Sequence, residues 1–176
     1  MCALLLNGCA NNPLPAGAEA SAVQPYTLGA GDKLRITTFG FKELSGDFSV
    51  AADSSVALPL VGAVKVNGLT VEQLERQITS ILTERDLVRQ PKVVAEVIEY
   101  RPYYILGEVT KPGQYPFTDG LTVLKAVATA QGFTYRANSR TIFITPDASN
   151  RERAVQMTAS TPIRPGDTIR IGQRYF

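Results

Sequence analysis

Two short strings in this chain each occur twice, and they fix most of what it can fold into. Gly31-Asp32-Lys33-Leu34-Arg35-Ile36 is echoed near the far end by Gly166-Asp167-Thr168-Ile169-Arg170-Ile171. In both, Gly-Asp supplies a turn, and apolar and polar residues then alternate with period two, the pattern of strand entry. Gly68-Leu69-Thr70-Val71 is echoed by Gly120-Leu121-Thr122-Val123, and each copy opens a helical pattern. The spacings differ, so this is not a solenoid repeat. It indicates two α/β units of similar build within 176 residues.

The pattern predicts strands over 33–39, 48–51, 56–60, 63–66 and 92–100, with Leu34, Ile36 and Thr38 on one face and Lys33 and Arg35 on the other. A helix starts at Val71. Thr70 is its N-cap and Gln73 completes a capping box. Val71, Leu74, Ile78, Ile81 and Leu82 share one face, and Glu72 and Arg76 form an i,i+4 pair on the outside. Further strands are expected at 103–109 and 115–117. Pro112-Gly113 between them should be the two central residues of a type II turn, with Gly113 supplying the positive φ. A second helix, 123–131, is apolar on most sides and should be deeply buried, with Gly132 as its stop. Strands at 141–145, 154–157 and 168–172 follow. Hairpin, helix, then strands is the order of a β-grasp unit. The fold class expected is α+β.

Composition removes several function classes. With no His, Ser-His-Asp and Cys-His catalysis and every His-containing zinc site are excluded. The two Cys, Cys2 and Cys9, exclude a four-thiolate metal site and a disulfide-stapled core. No catalytic residue, cofactor or metal site is expected. Glycoside hydrolysis needs two facing carboxylates. Glu84 and Asp86 lie at a helix end, where they solvate it. Glu96 and Glu99 are an odd number apart on a strand and should point to opposite faces. The net charge of +2 gives no nucleic-acid footprint. Residues 136–176 do carry seven Arg against Asp147, Glu152 and Asp167, either as a solvated face or as a contact surface for an anionic partner.

The start, Leu6-Asn7-Gly8-Cys9, has the form of a bacterial lipobox, in which a thiol after a short apolar run takes a diacylglyceryl group. Cys9 is the expected lipid attachment site. Only eight residues precede it and none is charged, so residues 1–8 read as a signal-peptide remnant whose true start lies upstream. Residues 9–25, rich in small residues and Pro, read as a flexible lipid-anchored tether.

Two groups of residues together resemble the outer-membrane polysaccharide export (OPX) lipoprotein family. Tyr26-x-Leu28-Gly-x-Gly31-Asp32-x-Leu34, Ala57-Leu58-Pro59-Leu60-Val61-Gly62-x-Val64 and Pro91-x-Val93 are similar to its polysaccharide-export domain, here 26–100. Leu106-Gly107-Glu108-Val109-x-Lys111-Pro112-Gly113-x-Tyr115, Gly120-Leu121-Thr122-Val123 and Ala130-Gln131-Gly132 are similar to its soluble-ligand-binding β-grasp (SLBB) domain, here 101–176, with the last strand a candidate to pair back on the first domain. The resemblance implies a lipid-anchored homo-oligomeric ring, an octamer, at the periplasmic face of the outer membrane. It implies a polysaccharide substrate, an inner-membrane polysaccharide co-polymerase below and a separate outer-membrane β-barrel as a further partner, with no nucleic acid. One SLBB domain and an end at Tyr175-Phe176 resemble the short, exopolysaccharide-type members and imply no pore segment of its own. The alternative is a periplasmic β-grasp ligand-binding module that forms no ring. Tyr100, Tyr103 and Tyr104 are candidates either to stack on sugar rings or to pack the domain junction.

Overall fold

The computed structural model describes residues 25–147, 149 and 151–174. Cys9, the signal-peptide remnant and the tether before Pro25 lie outside the described residues. Two cores form in sequence, one from Leu28 to Ala95 and the other from Tyr103 to Ile171.

In the first part, β1 (Lys33–Thr38) lies between β2 (Gly46–Ser49) and β5 (Val93–Glu99), antiparallel to both. A 3-10 turn over Lys42–Leu44 joins β1 to β2. β3 (Ser55–Leu58) and β4 (Gly62–Lys65) make a separate hairpin. Leu34, Ile36 and Thr38 face the core, while Lys33 and Arg35 are exposed, as the alternation requires. Helix α1 (Val71–Glu84) carries the expected capping box: Gln73 N donates to Thr70 Oγ1 and Thr70 N to Gln73 Oε1. Leu74, Ile78 and Leu82 are buried, with Val71 and Ile81 partly so. Glu72 and Arg76 form no ion pair.

The second part is one five-stranded sheet in the order β7-β6-β10-β8-β9, made of β6 (Tyr103–Gly107), β7 (Gly113–Tyr115), β8 (Ala137–Thr145), β9 (Arg153–Gln156) and β10 (Thr168–Gln173). β10 runs parallel to β6 and antiparallel to β8. A hairpin, a helix, and a last strand inserted in parallel beside the first is β-grasp order, so the chain is α+β. The last strand closes this second sheet and does not return to the first. α2 (Val123–Thr129) is capped by Thr122 and buries Val123, Ala126 and Val127. Its burial is one-sided: Leu124 is 44% exposed.

Three local expectations need correction. The first is the Pro112-Gly113 turn. Gly113 is not among the glycines with positive φ; it is the first residue of β7. The five residues 108–112 do not turn tightly, because their amides have other work. Thr110 N and Lys111 N donate to the carbonyls of Gly132 and Ala130, satisfying acceptors that the end of α2 leaves open. The glycine the hairpin needs is Gly107, at φ 87°.

The second is the stop of α2. Gln131, at φ 64°, is the first residue past the helix in the left-handed region, and Gly132, at φ 89°, is the second, one position later than expected. Gln131 N donates to Ala128 O and Gly132 N to Val127 O, the paired bonds of a Schellman end. α1 ends in the same way on Asp86, at φ 53°. Left-handed backbone costs an L-residue about 1 kcal/mol that glycine avoids. Gln131→Gly is therefore expected to raise unfolding stability by about 0.5–1 kcal/mol in urea titrations. A loss of that size would contradict the assigned cap.

The third concerns Glu96 and Glu99. Lys33 sits opposite Glu99 but Leu34 sits opposite Val97, so β5 carries one extra residue there. This bulge puts both carboxylates on the exposed face, where an unbroken strand would separate them. Each has a cation: Lys33 Nζ lies 2.5 Å from Glu99 Oε2, and Arg35, also bound to Asp47, lies 3.7 Å from Glu96 Oε1.

Candidate functional site: the domain junction and its groove

The two Gly-Asp turns meet at one residue, Arg101, between the two cores. Asp32 is fully buried and the Arg101 side chain is 15% exposed. Asp32 Oδ2 accepts from Tyr26 Oη (2.5 Å), Gly29 N (2.9 Å) and Arg101 Nη1 (3.1 Å), and Oδ1 accepts from Arg101 N (2.9 Å). Arg101 Nη1 also donates to Tyr26 Oη, and the guanidinium carbon stands 5.6 Å from the Tyr26 ring centroid. Burial and the neighbouring Asp32 carboxylate push the Tyr26 phenol well above its usual range, so it stays neutral and donates to Asp32.

On the other side, Arg101 Nε is 3.0 Å from Asp147 Oδ2, an ion-pair distance without hydrogen-bond alignment. Gly166 N donates to Pro102 O, Tyr104 N donates to Asp167 O, and Asp167 Oδ2 accepts from Arg164 N. A Cβ on Gly29 would lie 2.4 Å from Arg101 Nη1, and one on Gly166, at φ 84°, would lie 2.8 Å from Arg101 Nε. The guanidinium thus occupies space that only glycine leaves. The repeated Gly-Asp string marked both walls of this joint. Nothing in the local pattern around Arg101 marked the residue they hold.

A solvent-open groove of about 460 Å³ runs beside the joint, lined chiefly by Ile98, Glu99, Tyr100, Gln114, Tyr115 and Phe117. Tyr100 packs edge-on between Tyr26 and Phe117, with centroids 5.0 and 5.5 Å away. Its hydroxyl donates to Asp119 over 3.3 Å, and burial with that carboxylate raises its phenol. Tyr103 is core, 1% exposed and stacked on Tyr115. Tyr104 is 43% exposed on the outer sheet face, opposite Gln114. Of the three candidate tyrosines, Tyr103 packs, Tyr100 packs at the junction while lining the groove, and Tyr104 is open. Gln114 and Phe117, which sequence reasoning did not single out for this purpose, complete the lining.

The Arg-rich end is largely tied down or solvated. Arg170 makes a bidentate pair with Glu152 and covers the Phe143 ring at 4.0 Å, and Arg136 lies over Tyr135. Arg140, Arg151 and Arg153 are exposed. No helix among the described residues is long and apolar enough to cross a membrane.

Residues 20–98 match the family described as polysaccharide biosynthesis/export protein, and residues 102–156 match the SLBB domain. The chain belongs to the polysaccharide export family. It is similar to the exopolysaccharide production protein ExoF of Rhizobium meliloti (strain 1021), 33% identical over 152 residues, 80% of this chain and 36% of that protein. It is similar to the EPS I polysaccharide export outer membrane protein EpsA of Ralstonia solanacearum, 27% identical over 187 residues, 85% of this chain and 48% of that protein. The polysialic acid transport protein KpsD of Escherichia coli is 32% identical over 117 residues, 64% of this chain and 20% of that protein. The chain thus spans less than half the length of these relatives. The family matches meet between residues 98 and 102, the segment that carries Arg101.

Proposed function

We propose that the chain is a non-enzymatic component of a polysaccharide export translocon. Acyl groups on Cys9 hold it at the periplasmic face of the outer membrane, and copies assemble there into a ring that conducts exopolysaccharide or capsule chains outward. The observation that carries this reading is the ordered pair of family matches, 20–98 and 102–156, with Arg101 between them, in a chain whose relatives are named for polysaccharide production, export and transport. A passive role is supported by the carboxylates nearest to a glycosidase arrangement: Glu96 and Glu99 share a face, but each is exposed and beside a cation, which is not the poise of a general acid. The driving force would come from an inner-membrane polysaccharide co-polymerase, with a separate outer-membrane β-barrel as the exit.

One acyl chain anchors a protein only marginally, and stable attachment takes more than one signal. The native-signal protein, extracted from membranes in mild detergent, is expected to carry lipid mass on Cys9 and to run as a closed oligomer, eight copies by family resemblance, in native mass spectrometry. Cys9→Ser is expected to lose the lipid mass and most membrane retention. An unmodified Cys9, or a monomer at micromolar concentration, would overturn the anchor or the ring respectively.

A further inference from the structure

We propose that the groove beside Arg101, continued across β7 onto Tyr104, is a binding strip for a short run of neutral sugar residues. This rests on the export reading and gives it a contact surface. Four observations point to that chemistry. The groove, about 460 Å³ and open to solvent, lies within the size range of ligand clefts. Tyr100, Tyr115 and Phe117 supply apolar surface with a polar tip on two of the three. Glu99, the charged member of the lining, is already matched by Lys33 at 2.5 Å, so the groove offers no free charge to select an ion. Hydrogen-bonding capacity is present but neutral. The exposed Gln114 amide both donates and accepts, and β7 is an edge strand with one row of backbone groups turned away from β6.

A pyranose ring has that same mixed character: a CH-rich face bordered by hydroxyls and carrying no charge. Gln114 links the groove to the outer face, because Tyr104 lies directly across the β6–β7 ladder and Thr168 directly beyond it on β10. Successive sugars of one chain could therefore meet Phe117 and Tyr100, then Gln114, then Tyr104. A strip that stays open to solvent can let a polymer slide, whereas an enclosed pocket would trap it.

The test uses the full chain, isotopically labelled and titrated by NMR. The probes are maltohexaose, cellohexaose and the polysaccharide recovered from the host's own culture medium, with a synthetic peptide of residues 10–24 as a competing occupant. Saturable shifts from a saccharide probe are expected at Tyr100, Gln114, Phe117 and Tyr104. Gln114→Ala and Tyr104→Ala, both at exposed positions, should each raise the Kd about fivefold or more. Phe117→Ala should do the same, and the two surface variants keep the test decisive if that half-buried change does not fold. No saccharide shift, shifts elsewhere, or saturation by the peptide alone would overturn the strip. Export in a complemented deletion strain separates the two claims. If the wild type restores secretion but no saccharide binds the groove, only the strip fails; if the wild type does not restore secretion, the export reading fails first.

Discussion

Replacing Gly107 by Val is expected to be among the most damaging single changes in this protein, while the same change at Gly113 should be nearly silent. Gly107 ends β6 at φ 87°, and a Cβ there would lie 2.1 Å from the carbonyl oxygen of Ile171. That carbonyl belongs to β10, the strand paired in parallel with β6, and it accepts from Glu108 N over 3.0 Å. A side chain must therefore both adopt left-handed backbone, at about 1–3 kcal/mol, and push the central parallel pair apart, which removes a backbone hydrogen bond worth roughly another 1 kcal/mol. A loss of about 2–4 kcal/mol in urea unfolding is expected. Gly113 has no positive φ, and the nearest atom to an added Cβ is Tyr115 Cε2 at 3.9 Å, so Gly113→Val should change stability by less than about 1 kcal/mol. The opposite ranking would mean that the hairpin closes through Pro112-Gly113 after all.

The second large effect is expected at the joint. Asp32→Ala would remove the acceptor shared by Tyr26 Oη, Gly29 N, Arg101 N and Arg101 Nη1, and would leave a mostly buried guanidinium with the half-exposed Asp147 as its remaining carboxylate partner. Breaking a buried pair by deleting one partner typically costs about 3–5 kcal/mol, and the stranded donors place this case in the upper half. Arg101→Ala should cost less, about 3 kcal/mol, because Asp32 keeps three donors. Tyr26→Phe, which leaves the ion pair in place, should cost about 1 kcal/mol. Because the two cores are separate sets of side chains, loss of the joint is also expected to split one unfolding transition into two. Differential scanning calorimetry reads this directly. A single sharp transition in Asp32→Ala with unchanged midpoint would show that the joint does not couple the cores.

Much of the fold was legible because its elements are amphipathic at the surface of small cores. Leu34 and Ile36, Leu74 and Ile78, Ile169 and Ile171 fall on buried faces at the periods that their strands and helices impose. Thr70 with Gln73 announced a helix start by a mechanism confined to four residues. What was not legible depends on partners distant in sequence. The extra residue in β5 shows only when Lys33 is set against Glu99 and Leu34 against Val97, so counting along one strand put Glu96 and Glu99 on opposite faces. Pro112-Gly113 looks like a turn in isolation, but the end of α2 claims the amides before it. Arg101 has no local signature at all, and its role exists only where residues 29–32, 147 and 166 converge. The same holds for the groove. Tyr100 was singled out from sequence, but Gln114 and Phe117 become its neighbours only when β7 closes against β6.

The proposed role, outward movement of polysaccharide that the chain neither makes nor cuts, can be read in the host. The most direct measurement is the amount of polysaccharide in the medium and in the periplasm of the host after deletion of the gene, with the wild-type chain and the Asp32→Ala variant supplied in trans. Deletion is expected to empty the medium while the repeat units are still synthesised; the wild-type chain should restore secretion of chains of unchanged composition, and Asp32→Ala should not. Secretion that continues unaltered in the deletion strain, or polymer that reaches the medium at its usual rate but with changed linkages or length, would contradict that role.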